Sequence, residues 1–314
     1  PVVLFLFKRS DTVLKIIDRI RSVKPQKIYL IGDGPRNVEE ENIILKSRKI
    51  IEKAIDWDCS IIRNYADSNR GVYENIAGGA KWVFEREKYA ILLEDDNLPE
   101  VSFFSYCREL LLRYENNKEI LWICGTNYLE KFETPNKESY MFTRHLLPCG
   151  WASWGSKFIK LYDGNLKCLE DPNFKAILRK TYYNKALYKQ QLNSAFYEVY
   201  RRNNGIKYAS WDFQMSMSIR YNGVYGISPN RNLIENIGVD ELSIHGGNSL
   251  SNEMTRRFCS IKSYPLEFPL IHPTSIKVNE NYERKIEKII LFPLKMRIKI
   301  SFASILKHIL GLST

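Results

Sequence analysis

No stretch of this 314-residue chain stays apolar for the ~20 residues that a bilayer-spanning helix needs. Its opening run, residues 2–7, has the look of a core strand rather than a secretory leader. The chain is therefore expected to be cytoplasmic, at most peripheral on the inner face of the plasma membrane. It contains no Asn-x-Ser/Thr sequon, which argues against a eukaryotic secretory history. Cysteine is sparse: the six residues at 59, 107, 124, 149, 168 and 259 form no Cys-x-x-Cys pair, and most lie beside apolar or aromatic neighbours, so they read as reduced thiols. Only four histidines occur, and His145, His272 and His308 belong to no recognisable constellation. No internal repeat or low-complexity linker is present.

What is there describes a globular protein. Hydrophobic residues make up 44% and charged residues 26%, and the length suits one large domain or two intimate halves. A formal net charge of +11 favours phosphate-bearing partners such as nucleotides or an anionic lipid surface. Much of that charge lies in a distinct tail. There Arg284, Lys285, Lys288, Lys295, Arg297, Lys299 and Lys307 alternate with Ile and Leu around Pro293. The pattern fits either a helix packed on the body or one lying on an anionic membrane.

The first half alternates strand and helix signals. Apolar runs at 2–7, 27–31, 59–62, 89–93 and 120–124 read as strands. Between them, helical spacing begins at Ser10, as an N-cap, and recurs at 38–55, 72–87 and 100–115. This order predicts an α/β fold: a Rossmann-like, mainly parallel sheet flanked by helices, with ligands beyond the carboxyl ends of its strands. The second half is less regular. A Gly/Trp-rich stretch covers 148–155, helices are expected at 172–203 and 211–221, a short strand at 223–227, and then a long polar loop. We divide the chain into a donor-binding half at 1–130, an acceptor-binding half at 131–265 and a basic tail at 266–314.

Polar residues collect where those strands end. Glu94-Asp95-Asp96 follows the strand at 89–93. Three adjacent carboxylates repel one another, and a hard divalent cation, Mn²⁺ or Mg²⁺, suits them and can neutralise a departing diphosphate. Alone, the triplet also reads as a solvated turn before the next helix. Asp33, in Gly32-Asp33-Gly34-Pro35, can accept a uracil or thymine imide N–H, or simply hold its turn. Arg9 can reach a phosphate or base, or be a surface arginine. Asn69-Arg70-Gly71 precedes a helix whose N-terminus can face a phosphate or base. Asp212, in Ser210-Trp211-Asp212-Phe213, is a candidate general base, with the helix dipole as its plainer explanation. Ser243-Ile244-His245-Gly246-Gly247 reads as a mobile lid in which His245 could meet metal or phosphate.

Taken in order, these motifs resemble the N-acetylglucosaminyltransferase I family of GT-A glycosyltransferases and its bacterial relatives in surface-polysaccharide synthesis. The resemblance runs over about residues 2–250. An apolar strand followed by Arg9-Ser10, Asp33 after the second strand, and Glu94-Asp95-Asp96 ahead of Ser102-Phe103-Phe104 all follow the family's order. So do Pro148-Cys149-Gly150-Trp151, Trp211-Asp212 and Ser243-Ile244-His245-Gly246. The family's Trp-Asp-Asp-Trp is here Trp211-Asp212-Phe213-Gln214. The resemblance implies an inverting, metal-dependent enzyme that uses a nucleotide-diphosphate sugar, UDP favoured, and transfers to a glycan or lipid-linked glycan. In it Asp96 is the direct metal ligand, Asp212 the base, and Gly150-Trp151 shape the sugar pocket. Two alternatives stand beside it: a catalytically inactive relative that binds glycan or a partner, and a sugar-nucleotide nucleotidyltransferase. The second should carry a Gly-rich loop after its first strand, where Phe7-Lys8-Arg9-Ser10 has no glycine. A nucleic-acid partner is not expected, because the acidic triplet would oppose a phosphate backbone.

Overall fold

The computed structural model describes residues 1–208, 210–239 and 249–299. β1 (Val2–Leu6), α1 (Ser10–Arg21), β2 (Lys27–Gly32), α2 (Val38–Ala54) and β3 (Ser60–Tyr65) alternate first. A π-type turn at Glu74–Gly78 leads into α3 (Gly79–Phe84), β4 (Tyr89–Leu93), β5 (Asn97–Pro99), α4 (Ser102–Arg113) and β6 (Ile120–Cys124). Then come β7 (Tyr140–Thr143), β8 (Trp151–Trp154), α5 (Gly155–Leu161), α6 (Phe174–Lys180) and α7 (Lys185–Asn203). α8 (Asp212–Tyr221), β9 (Tyr225–Pro229), β10 (Ile234–Asn236), α9 (Glu253–Phe258) and α10 (Glu280–Ile290) complete the order.

Eight strands form one sheet in the order β3-β2-β1-β4-β8-β6-β9-β7. β3, β2, β1 and β4 run parallel, and β6 and β9 are parallel to each other. This is the helix-flanked α/β arrangement that the alternation predicts. The Gly/Trp-rich stretch holds the surprise: Trp151–Trp154 is a central strand that runs antiparallel between β4 and β6. β7 closes the edge, antiparallel to β9.

β1 is buried along its whole length because helices cover both faces. Its side chains alternate between two cores. Val2, Leu4 and Leu6 meet the apolar stripe of α1 and the face of α4, while Val3 and Phe5 join α3, Trp122, Trp151 and Tyr282 on the other side. A third cluster packs α6 and α7 against Met217 of α8. One expectation is corrected here. Ser10 is the first residue of α1 rather than its cap; Arg9 holds the cap position and makes no side-chain cap bond.

The beginning of the basic tail belongs to the body. α10 buries Tyr282, Glu283, Ile286 and Glu287. Glu287 accepts from the backbone N–H of Tyr183 (2.9 Å) and Asn184 (2.6 Å), and the Tyr282 hydroxyl meets Ser228 Oγ at 2.7 Å. Beyond it, residues 294–299 are helical, with Leu294 63% and Ile298 46% exposed. Among the described residues no helix is long and apolar enough to cross a membrane. All six cysteines are free thiols.

Candidate active site

The carboxyl ends of β1 and β4 open into a cleft of about 390 Å³. Arg9, Asp33, Glu94, Asp95, Asp96 and Asp212 all line it, although 179 positions separate Asp33 from Asp212. The strands explain the convergence. β1 delivers Arg9, β2 delivers Asp33 and β4 delivers the acidic triplet at the same end of three parallel neighbours.

Arg9 sits among the carboxylates. Its Nη1 lies 3.2 Å from Asp96 Oδ2 and 3.5 Å from Asp95 Oδ1, and its Nη2 donates to the Gly238 carbonyl at 3.2 Å. One guanidinium cannot balance three acids. Burial, together with the charges of Asp96, Asp95 and Asp212, pushes Glu94 well above the usual carboxylate range. Burial and the charge of Asp96 raise Asp95 to about 7, and burial raises Asp96 as well.

Three residues that the sequence did not single out hold this cluster. Asn97 is 1% exposed; its Nδ2 donates to Asp96 Oδ1 at 2.6 Å, and its Oδ1 accepts from Gly150 N at 2.8 Å. The antiparallel ribbon of β5 and β10 sets Asn236 opposite Asn97 and beside Asp96, where its side chain favours the ionised Asp96, and Ile237 N donates to the Asp96 carbonyl at 2.9 Å. Gly238 packs so tightly that a Cβ there would lie 2.3 Å from Asp96 Oδ2. Asn97, directly after the triplet, is the one that local sequence could have flagged. Asn236 and Gly238 carry no local signal, because their role exists only through pairing with β5.

The remaining candidates fall into separate groups. Asp33 faces the cleft, but its carboxylate already accepts from Gly34 N (2.8 Å), Asn69 Nδ2 (2.9 Å), Arg70 N (2.6 Å) and Gly71 N (3.1 Å). These four donors match the roughly four lone-pair sites of a carboxylate, so Asp33 clamps the loop after β2 to the loop at 67–71. Asn69 and Arg70 lie outside the cleft lining. The Arg70 guanidinium points inward, to Asn64 Oδ1 (3.2 Å), the Gly32 carbonyl (3.1 Å) and Asn75 Oδ1 (2.9 Å). Asn69 and Arg70 thus support the cleft wall. The N-terminus that follows them is the π-type turn, whose Asn75 and Ile76 do line the cleft.

Gly150 and Trp151 also stand behind the site. Gly150 has φ of +60°, and a Cβ there would meet Ile234 at 2.5 Å, so glycine is required where the chain crosses β10. Trp151 is 1% exposed; it stacks on Trp122 (4.0 Å between centroids) and on Trp211 (5.6 Å). Through Trp211 it fixes the N-terminus of α8, which begins with Asp212. The Asp212 Oδ1 accepts from Ser210 Oγ. Ser243 and His245 lie outside the described residues.

Among the described residues no three His, Cys, Asp or Glu side chains form a ready-made metal cage. Mg²⁺-type sites seldom have one; one or two carboxylates and substrate phosphates supply the ligands. The donor set here fits that mode: hard oxygens only, with more buried negative charge than Arg9 offsets.

No protein-family model and no curated protein matches the chain. Among solved structures, it is similar to a mannosyltransferase from Pyrobaculum calidifontis in complex with GDP-Man and Mn²⁺, at 9% identity and a TM-score of 0.36, over 70% of this chain and 68% of that one. It is also similar to S. aureus TarS 1-349, at 8% identity and a TM-score of 0.38, over 74% of this chain and 58% of that one. A third is UDP-glucose pyrophosphorylase complexed with UDP-glucose, at 11% identity and a TM-score of 0.36, over 76% of this chain and 93% of that one.

Proposed function

We propose that the protein is an inverting glycosyltransferase that moves a sugar from a nucleotide-diphosphate donor, UDP-linked by preference, to a hydroxyl of a glycan or lipid-linked glycan. The observation that carries this reading is the convergence of Arg9, Glu94-Asp95-Asp96 and Asp212 on one cleft at the carboxyl ends of parallel strands. Asp96 and its neighbours would hold Mn²⁺ or Mg²⁺, which supplies Lewis-acid neutralisation of the diphosphate. Arg9 adds a fixed positive charge for a phosphate oxygen in the same cleft. The Asp212 carboxylate takes the acceptor O–H proton as that oxygen bonds to the anomeric carbon, while the bond from that carbon to the phosphate oxygen breaks and the nucleoside diphosphate leaves. Trp211 and Phe213 flank Asp212 in the chain and line the same cleft. The basic, partly exposed residues 294–299 suit an anionic membrane surface where a lipid-linked acceptor resides.

The test is calorimetric binding of UDP, dTDP, GDP and CMP, with and without Mn²⁺, to wild type and Asp96→Ala. We expect one nucleoside diphosphate, UDP first, to bind only with metal and to lose at least about tenfold in affinity in the variant, on the order of one charged ligand contact. Absence of nucleotide binding under every condition would reject the donor site.

A further inference from the structure

Behind Asp212 lies a second cavity of about 310 Å³. Its walls are mainly apolar and aromatic: Tyr128, Tyr182, Leu187, Phe258, Ile290 and Phe292. The two spaces adjoin, since Pro148, Cys149, Asp212, Phe213, Asn236 and Cys259 line both. Asp212 therefore stands at the junction, where a base would face a hydroxyl arriving from one side and a sugar held on the other.

The charge of the cavity is as informative as its shape. In a protein of net charge +11, the described residues lining it include no Lys or Arg, and among them Asp212 is the one carboxylate. His145 lines it too. Burial and the Arg220 guanidinium, whose Nη2 lies 3.0 Å from His145 Nδ1, hold this imidazole neutral. Among the described lining residues an anionic acceptor would find no cation, the Arg220 guanidinium standing behind His145 and Tyr182, and it would face the Asp212 carboxylate. The apolar wall is also built rather than loose. Gln190 commits both ends of its amide to it, donating Nε2 to the Ile290 carbonyl at 3.1 Å and accepting from Phe292 N at 2.9 Å.

Building on the donor-site reading, we propose that this cavity is the acceptor site and that it selects an uncharged acceptor whose hydroxyl-bearing unit carries an apolar group, as a sugar with an aryl or alkyl aglycone does. The aglycone packs against Phe258, Ile290 and Phe292, and the hydroxyl reaches Asp212. Burial of the apolar group supplies affinity, and the lack of a cation supplies discrimination against phosphorylated or acidic acceptors.

The experiment compares p-nitrophenyl β-glycosides of glucose, galactose, N-acetylglucosamine and mannose with the matching methyl glycosides, by calorimetry on the full chain, with and without UDP and Mn²⁺. Ser216→Phe fills the cavity from α8, and Met254→Trp fills it from α9, in case the first variant does not fold. At least one aryl glycoside is expected to bind at least about tenfold more tightly than its methyl partner, an effect of the size that burying a ring gives. The filled variants should lose that preference and keep nucleotide binding. Equal binding of aryl and methyl forms for all four sugars in both conditions overturns the proposal, as does a preference that survives in both variants. An aryl preference in a protein that binds no nucleotide keeps the cavity as an apolar-glycoside site and rejects the donor reading instead.

Discussion

Asp212 draws its role from the side chains stacked beneath it. Trp122, Trp151 and Trp211 pack mutually, each ring against the other two, and the last of them immediately precedes the carboxylate, so the first turn of α8 has little freedom to move. Replacing Asp212 by Asn keeps the size and removes the base. We expect kcat to fall about 10²–10⁴-fold with nucleotide affinity unchanged, measured by steady-state release of nucleoside diphosphate. A fall of less than about threefold, or products with retained anomeric configuration, would move the base elsewhere. At this scale the sequence was legible where chemistry and chain position coincide: Arg9, the acidic triplet and Asp212 all reach the cleft. It was silent on the surroundings of Arg70, whose guanidinium is held by Gly32, Asn64 and Asn75. Nothing in a local window tells an arginine that braces a loop from one that awaits a phosphate.

Short elements do much of the positioning. The three-residue strands β5 and β10 are too brief to announce themselves by periodicity, yet they set Asn97 on Asp96 and Asn236 opposite Asn97. β8 escaped notice for a related reason: Trp151–Trp154 is four residues long, flanked by glycines, and reads as a loop until both neighbouring strands are in place. Long elements with clean patterns, such as β1, α1, α2, β4 and β6, were readable because a run buried on both faces or a helical stripe leaves few alternatives. α10 was readable as amphipathic but not as to what its apolar face would cover. The structure puts Ile286, fully buried, in the same core as Trp151 and Met215. Ile286→Ala should therefore cost about 2–5 kcal/mol of stability by denaturant titration. A loss below about 0.5 kcal/mol, as for an exposed helix, would mean that α10 is not docked in solution.

Across the whole molecule the acidic cleft is a load on the fold. Asp95 titrates near 7 in the folded chain against an ordinary value of 3.8, and Glu94 and Asp96 shift in the same direction. Between those two pH values the folded protein holds a proton that the unfolded chain has released. Stability from this group is therefore greatest below about pH 4 and is lost as pH rises through about 7. Thermal melts without divalent ions, compared at pH 5 and pH 8, should show a larger loss toward pH 8 in wild type than in Asp95→Asn. The same slope in both proteins would show that the carboxylate is well hydrated in solution. The alternation of strands and helices predicted a mainly parallel, helix-flanked sheet without its antiparallel β8 and β7; the balance of charge inside its cleft could be read only once distant segments had met.

That distance has a consequence for how the protein comes into being. On the ribosome, β1 and β4 and the three acids at their ends are synthesised by residue 96, whereas the asparagine and glycine that brace Asp96 follow at 236 and 238, and Phe292 comes later still. While residues 97–236 are being made, the nascent chain carries a cluster of like charges with Arg9 and Asn97 as its partners from the finished site. Half-made protein should thus tolerate its own core better than its own acidic cleft, and a divalent cation in the surrounding solution is a further brace that need not wait for translation to finish.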